Sequence, residues 1–272
     1  MLRERVQAPD YGSIPLLHVV AAACGLEPYH YVGRCSMLPF TCFLVSECRI
    51  LGRAAPRWSK QVVDKVGFLT PARLPVFCPC CAAEQRSRSA YSIWQRALQL
   101  PGQRYCIQHD CQLLQAECVE SFMAQPSEVL ASGGYVQVPD RQWATGQPAV
   151  SRFLESGQAM LATGRSWSTP LVRVVLSRQA SRRGLRTSKG GSLPLLSDLA
   201  FDVFPAPFME EHFSLYERKK QGVAVPTVDC SVMTIGNTPT GTAVALAISL
   251  LYQSPNEAIS AFAAEGQSDT SN

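Results

Sequence analysis

Four residues near the middle of the chain have the types and spacing of a metal site. Two residues separate Cys78 from Cys81, two separate Cys106 from His109, and 24 residues lie between the pairs. A two-residue gap lets one tight turn direct both side chains at the same ion, while backbone N–H groups of the turn support the thiolate charge. We therefore predict that Cys78, Cys81, Cys106 and His109 bind one zinc ion.

The predicted zinc is structural, because three thiolates and one imidazole complete a tetrahedron and leave no position for a reactive water. Such an ion contributes on the order of 10 kcal/mol to folding in isolated zinc fingers. Two details of the ligand set stay open. The spacing favours Cys81 over Cys80, which is then a free thiol or a neighbour of the site. Cys111 is an alternative to His109, although it lies too far from Cys106 for a tight turn.

A catalytic zinc of the nucleobase-deaminase type does not fit the sequence. That chemistry needs a His-x-Glu segment ahead of Pro-Cys-x-x-Cys, where the glutamate moves protons and the metal activates water. None of His18, His30 and His212 is followed by this pattern, and Pro79 lies inside the first cysteine pair. We also find no nucleotide-binding loop and no nucleophile motif, so we predict that the chain is not an enzyme.

The composition is that of a globular protein, with 46% hydrophobic and 17% charged residues and a net charge of only +4. The charge is uneven, since residues 1–110 hold thirteen Lys/Arg against seven Asp/Glu. No signal peptide is recognisable, and the apolar runs are shorter than the ~20 residues that cross a membrane. We therefore expect a cytoplasmic protein without a membrane partner. Its eleven cysteines then favour a metal site and free thiols over disulfides.

The elements that must position the site are mostly helical. We predict a mainly α fold with a small central zinc-finger or zinc-ribbon module, an N-terminal helix-turn-helix-like bundle and a C-terminal helical domain. The predicted segments are 1–70 (N-terminal helices), 71–118 (zinc module), 150–264 (C-terminal domain) and 265–272 (disordered tail), with a surface connection before about residue 152. The predicted helices cover residues 13–24, 38–51, 59–66, 150–161, 170–183, 193–204, 207–221 and 242–251.

A cluster of cations in the C-terminal half could contact nucleic acid. Seventeen consecutive positions contain no acidic residue, and a helix followed by a glycine-containing turn would bring the charges together. Positive charges grouped in this way suit phosphate contacts and a salt-dependent affinity. A solvated helix face with a basic loop would have the same composition. The candidate residues are Arg173, Arg178, Arg182, Arg183, Arg186 and Lys189.

The central segment resembles the TniQ/TnsD family of proteins that select targets for DNA transposition. The resemblance covers residues 77–114 and is fainter elsewhere. The family runs Cys-Pro-x-Cys, an acidic residue, a Tyr-Trp region, a Gln-Leu-Pro-Gly turn and Cys-x-x-His followed by apolar residues. The matching positions here are Cys78-Pro79-x-Cys81, Glu84, Tyr91, Trp94, Leu98-Gln99-Leu100-Pro101-Gly102, Cys106-x-x-His109 and Leu113-Leu114.

The resemblance implies an adaptor that carries no chemistry of its own. Family members link a target-site reader to the AAA+ ATPase regulator of the transposon. Short members rely on another factor, in some systems a CRISPR effector, whereas longer TnsD-like members bind a DNA site themselves. We therefore expect DNA as a partner, directly or through a target-bound complex. The alternative interpretation is a zinc-containing, DNA-binding transcriptional regulator, which would act as a dimer on palindromic DNA without an ATPase partner.

Overall fold

The fold is mostly helical with small sheets, as predicted. The computed structural model describes residues 16–45, 74–139, 147–164, 166–214, 216–235 and 238–268. The helices are α1 (Leu16–Ala23), α2 (Pro28–Cys35), α3 (Leu38–Thr41), α4 (Pro79–Ser89), α5 (Pro126–Ser132), α6 (Pro148–Thr163), α7 (Thr169–Arg182), α8 (Leu196–Val203), α9 (Ala206–His212), α10 (Pro226–Asp229), α11 (Gly241–Leu251) and α12 (Pro255–Ser268). The strands are β1 (Leu44–Val45), β2 (Val76–Phe77), β3 (Tyr105–Cys106), β4 (Cys111–Gln112), β5 (Leu114–Ala116), β6 (Tyr135–Gln137) and β7 (Trp167–Ser168).

The N-terminal segment differs from the predicted three-helix bundle. Within the described residues, the helix predicted over residues 38–51 ends at Thr41, and Leu44 and Val45 form β1, which pairs in parallel with β7. Helix α2 was not predicted, although Pro28 is a typical first residue of a helix. Residues 46–73, which include the helix predicted at 59–66, lie outside the described residues.

Most of the predicted C-terminal helices are confirmed as α6, α7, α8 and α11. The helix predicted over residues 207–221 is shorter, since α9 ends at His212 and a separate 3-10 turn covers Tyr216–Arg218. The predicted tail is also wrong at its start. Residues 265–268 form the last turn of α12, and Glu265 makes an ion pair with Arg178 in α7.

Helix α11 is the centre of the main core. Its residues are almost all buried, and Thr240 caps it by accepting a hydrogen bond from the Ala243 N–H at 3.2 Å. A Cβ added at Gly241 would lie 1.9 Å from the Phe40 carbonyl oxygen, so only glycine allows α3 and α11 to approach this closely. None of the helices in the described part of the chain has the length and apolarity to cross a membrane.

The N-terminal and C-terminal parts share this core. Phe43, which precedes β1, is fully buried and contacts Phe262 of α12 edge-on, with ring centroids 6.1 Å apart. Aromatic pairs in this geometry add to the energy of the buried area itself. The core therefore depends on residues more than 200 positions apart in the sequence.

Residues 74–139, which we call the cysteine module, form a second layer of structure. Strands β2, β5 and β6 make an antiparallel sheet, and β3 and β4 make a hairpin. The predicted module, residues 71–118, ends too early. Helix α5 and strand β6 follow residue 118, where we predicted a surface connection, and β6 completes the sheet by pairing with β5.

Candidate metal centre

The four predicted ligands come from a helix start and a hairpin. Cys78 is the N-cap residue of α4, and Pro79 occupies the first helical position, where its missing N–H costs nothing. The Cys81 N–H donates to Cys78 Sγ at 3.3 Å, so the helix N-terminus supports negative charge on that sulfur. Cys106 ends β3, and His109 lies in the turn between β3 and β4.

The donor atoms of these residues are spaced as in a tetrahedral metal site. His109 Nδ1 lies 3.5, 3.3 and 3.5 Å from the sulfurs of Cys78, Cys81 and Cys106, and the sulfurs of Cys81 and Cys106 are 3.7 Å apart. In a tetrahedral zinc site, bonds of about 2.3 Å to sulfur and about 2.0–2.1 Å to nitrogen imply edges of about 3.8 Å between sulfurs and about 3.6 Å between sulfur and nitrogen. The predicted clustering is confirmed, and its dimensions fit a single ion.

Glu84 holds the other side of the histidine ring. His109 Nε2 lies 2.9 Å from Oε1 of Glu84, which is one helical turn beyond Cys81. The hydrogen bond raises the pKa of His109 and lowers the pKa of Glu84. A carboxylate in this position fixes the ring orientation and directs Nδ1 at the ion, as is common for metal-bound histidines. In the sequence, Glu84 is conspicuous only as part of the family resemblance.

An apolar shell encloses the sulfurs. Cys78, Cys81 and Cys106 are buried in one cluster with Leu98, Leu113 and Val138. Burial raises the pKa of Cys78 and that of Cys81 to about 12, so both thiols are protonated in the metal-free protein. Binding an ion must therefore release protons from this pocket.

The structure shows where the two cysteines left open in the ligand set lie. Cys81 is buried in the cluster, whereas Cys80, at the preceding position of the helix, is exposed. Cys111 faces Cys106 across the hairpin, and its sulfur lies 3.4 Å from that of Cys78. Cys111 is too far from Cys106 along the chain for a tight turn, so its sequence position does not show that it lies near the cluster. The signal that could have placed it is the hairpin itself, whose two strands bring residues on either side of a short turn face to face.

The Leu98–Gly102 segment of the resemblance joins the cysteine module to the main core. Gln99 acts as an extra strand partner, because its side-chain oxygen accepts from the Val76 N–H at 3.1 Å and its side-chain nitrogen donates to the Val76 carbonyl at 2.7 Å. Leu98 packs with the three buried cysteines, whereas Leu100 packs in the main core. Leu98 and Leu100, which are two positions apart, thus pack in two different hydrophobic cores.

Gly102 completes this link. Its φ of 79° lies in the left-handed region, and a Cβ would come within 2.7 Å of the Phe208 ring of α9. A residue without a side chain is therefore required by both backbone conformation and space.

The aromatic residues of the motif have structural positions. Trp94 donates its indole N–H to the Ala124 carbonyl at 2.9 Å and packs edge-on against Phe77, with centroids 5.6 Å apart. Phe77 directly precedes Cys78 in the chain, and Tyr91 is 56% exposed.

Three members of the predicted cation cluster bind backbone carbonyls. One of these acceptors is the carbonyl of Leu250, which binds Arg183. It belongs to the last turn of α11, where helix carbonyls lack intrahelical partners and the helix dipole favours positive charge. The neighbouring carbonyls of Leu251 and Tyr252 accept from Gln179 and Arg152. The cluster's pairs are Arg173 Nε to Cys230 O (3.2 Å), Arg183 Nη1 to Leu250 O (2.8 Å), Arg186 Nη1 to Gly191 O (2.7 Å) and Arg186 Nη2 to Gly222 O (3.0 Å).

The other three cations differ from one another. Arg178 forms a two-pronged ion pair with Glu265, at 2.8 and 3.1 Å. Arg182 and Lys189 are exposed, and within the described residues neither side chain makes a hydrogen bond or an ion pair. The predicted nucleic-acid residues thus include four with internal partners and two whose charge faces solvent.

A buried ionic network near α8 was not predicted. Asp198 accepts from Lys219 Nζ, from the Gly222 N–H at 2.9 Å and from the Leu195 N–H at 2.8 Å. Burial alone would raise the pKa of Asp198, but these donors outweigh it and lower the pKa. Asp229 accepts from backbone N–H groups nearby, and burial raises its pKa. An acidic residue in the first turn of a helix is a helix-start signal, and Asp198 in that position could have located part of this network.

The arrangement can hold one metal ion through residues that also fold the module around it. Its donor set of three sulfurs and one nitrogen suits a soft or borderline cation such as zinc better than magnesium or calcium. Comparison of this chain with known protein families and with curated proteins gives no match.

Proposed function

We propose that this chain is a zinc-containing, non-catalytic adaptor for target-site selection in DNA transposition. It links target DNA, or a complex already bound to target DNA, to the AAA+ ATPase regulator of a transposon. The observation that carries the proposal is the Cys78, Cys81, Cys106 and His109 cluster, which lies in the segment that resembles the TniQ/TnsD family.

The positions of the other motif residues support the same interpretation. Glu84 orients His109, Trp94 binds the Ala124 carbonyl just before α5, Gln99 pairs with Val76 within the module, and Gly102 lies against Phe208 of α9. Residues that are conspicuous in the sequence thus build one structural unit around the cluster. A motif devoted to folding suits a protein that presents surfaces to partners.

The metal's role in the proposal is structural. Three sulfurs and a nitrogen complete a tetrahedral shell, so the ion would hold α4 against the β3–β4 hairpin and would not activate water. The exposed Arg182 and Lys189 supply positive charge for DNA backbone contacts. Arg178, whose ion pair with Glu265 lies at the surface, could exchange this partner for a phosphate at little cost.

The test is complementation in cells that carry a transposon lacking this gene. We expect the wild-type chain and a Cys118→Ser variant, which loses an exposed cysteine outside the cluster, to restore insertion at the preferred target. Cys81→Ser should not restore it. The ATPase regulator of the same element should co-purify with the wild-type chain. Failure of the wild-type chain both to direct insertion and to retain the ATPase would contradict the proposal.

The alternative, a transcriptional regulator, predicts a different result in the same set of experiments. A stable dimer that binds a palindromic DNA site with nanomolar affinity, and does not retain the ATPase, would favour that function. We prefer the adaptor because the resemblance involves the whole linked unit from Cys78 to Leu114 and not the cysteine spacing alone.

A further inference from the structure

The cysteine module has more thiols near the candidate metal position than one metal ion needs as ligands. The first centre takes the sulfurs of Cys78, Cys81 and Cys106. On the other side of Cys78 lie two further thiols, those of Cys80 and Cys111. The sulfurs of Cys78, Cys80 and Cys111 all lie within 4.8 Å of one another, and those of Cys78 and Cys111 are only 3.4 Å apart.

The backbone brings these three sulfurs together from two elements. Cys80 is the second residue of α4, so it projects from the same helix start that Cys78 caps. Cys111 begins β4 and faces Cys106 in the hairpin register. Asp110 has a φ of 44°, and this left-handed residue turns the chain from the His109 loop into β4. The hairpin that supplies two ligands to the first centre therefore also places Cys111 against Cys78.

We propose that Cys78, Cys80 and Cys111 bind a second soft divalent metal ion, such as zinc or cadmium, with the Cys78 sulfur bridging the two ions. A sulfur–sulfur distance of 3.4 Å is far longer than a disulfide bond of about 2.05 Å. It is close to the edge of about 3.8 Å that two sulfurs on one tetrahedral ion form. Thiolate sulfur selects such cations over magnesium and calcium.

The charges balance when both ions are bound. The first centre, with one divalent ion, three thiolates and a neutral imidazole, has a net charge of −1. The second ion adds two positive charges, and the thiols of Cys80 and Cys111 each lose one proton to become thiolates. The pair of ions with five thiolates therefore still carries −1, and two protons leave with the second binding step.

The two sites differ in access to solvent. Cys78, Cys81 and Cys106 are buried, whereas Cys80 is exposed and Cys111 is half-buried. Three sulfurs leave the fourth position of the second ion open at the surface. The second ion should therefore bind more weakly and exchange faster than the first. This inference does not depend on a role in transposition.

The test is a cadmium titration of the full chain, stripped of metal and kept reduced, followed by metal analysis after desalting. We expect two ions per wild-type chain, and thiolate-to-cadmium absorbance that keeps rising after the first equivalent. Cys80→Ser and Cys111→Ser should each retain one ion. The matched control Cys118→Ser, which removes an exposed cysteine of the same module, should retain two.

Cadmium-113 NMR gives an independent readout. Two resonances are expected for the wild-type chain and one for each of the two variants. Saturation of the wild-type chain at one ion, with Cys80 and Cys111 both alkylated by iodoacetamide in the loaded protein, would overturn the proposal. A second ion that persists in both Cys80→Ser and Cys111→Ser would also overturn it, because that ion would have other ligands.

Discussion

His109 Nε2 lies 2.9 Å from the Glu84 carboxylate, while Nδ1 of the same ring lies within 3.5 Å of three cysteine sulfurs. The ring thus joins the candidate metal position to a carboxylate at the protein surface. A hydrogen bond of this kind selects the tautomer whose lone pair is on Nδ1. Metal affinity should therefore depend on a residue that does not touch the metal.

Replacing Glu84 tests this dependence. We expect Glu84→Ala to weaken zinc binding by about 10-fold to 100-fold, because the histidine loses the acceptor that orients it. Glu84→Gln keeps a neutral oxygen acceptor and should weaken binding less. Competition with a chromophoric chelator measures both affinities. Glu117→Gln, an exposed change in the same module, is the control, and equal affinities for all four proteins would contradict the role of Glu84.

Removing a ligand should remove both the ion and the fold of the module. We expect one tightly bound zinc in the wild-type chain, and its loss in Cys81→Ser and in His109→Ala. Because the ion contributes on the order of 10 kcal/mol in comparable sites, the module should also lose cooperative unfolding. Metal analysis and thermal unfolding followed by near-ultraviolet circular dichroism measure the two effects. A metal-free wild-type chain that unfolds cooperatively would show that the four residues are not a metal site.

The two hydrogen bonds between the Gln99 side chain and the Val76 backbone should both stabilise the folded chain. We expect Gln99→Ala to lower the free energy of unfolding by about 1–3 kcal/mol, since it leaves a backbone N–H and a carbonyl of β2 without partners. Gln99→Glu keeps only the acceptor and should retain part of the stability. Urea denaturation measures the difference. Gln137→Ala, at an exposed position of β6, should change little, and a similar loss there would mean that the effect is not specific.

The residues of the cation cluster should have two different roles, DNA binding and stabilisation of the fold. We expect Arg182→Ala and Lys189→Ala to weaken DNA binding and to reduce the salt dependence of the affinity by about one unit of slope each, with unchanged stability. Arg183→Ala should instead lower stability by about 1–2 kcal/mol, because the Leu250 carbonyl loses its donor. Fluorescence anisotropy at several salt concentrations and thermal unfolding measure the two effects. DNA affinity that is insensitive to Arg182 and Lys189 would exclude this surface as the contact.

The Asp198–Lys219 pair should make the fold sensitive to acid. Its hydrogen bonds lower the pKa of Asp198 below the value in the unfolded chain. The stabilisation is therefore present at neutral pH and is lost as the pH falls below about 4 and through the lowered value. Asp198→Asn should cost about 3–5 kcal/mol at pH 7, because it leaves Lys219 buried without a counter-charge.

Urea denaturation between pH 7 and pH 3 tests this prediction. The difference in stability between the wild-type chain and Asp198→Asn should shrink as the pH falls. Asp202→Asn, an exposed change in the same helix, should follow the wild-type curve. A difference that stays constant with pH would show that Asp198 contributes by packing rather than by charge.

The sequence by itself determined the features that depend on neighbouring residues. The two-residue gaps predicted that Cys78, Cys81, Cys106 and His109 form one cluster, because a short turn limits where two adjacent ligands can point. Apolar periodicity likewise predicted most of the C-terminal helices, among them α11. These signals depend only on neighbouring residues, so the packing of the rest of the chain does not change what they predict.

Only the tertiary structure decided what depends on distant partners. From the sequence we expected Arg183 to be available for nucleic acid, yet it binds the carbonyl of Leu250, 67 positions away. We predicted Glu265 to be the first residue of a disordered tail, yet it lies in the last turn of α12 and forms an ion pair with Arg178. Cys111 comes next to Cys78 only through the hairpin register. Side-chain spacing cannot reveal such contacts, because they depend on which surfaces the packed core brings together.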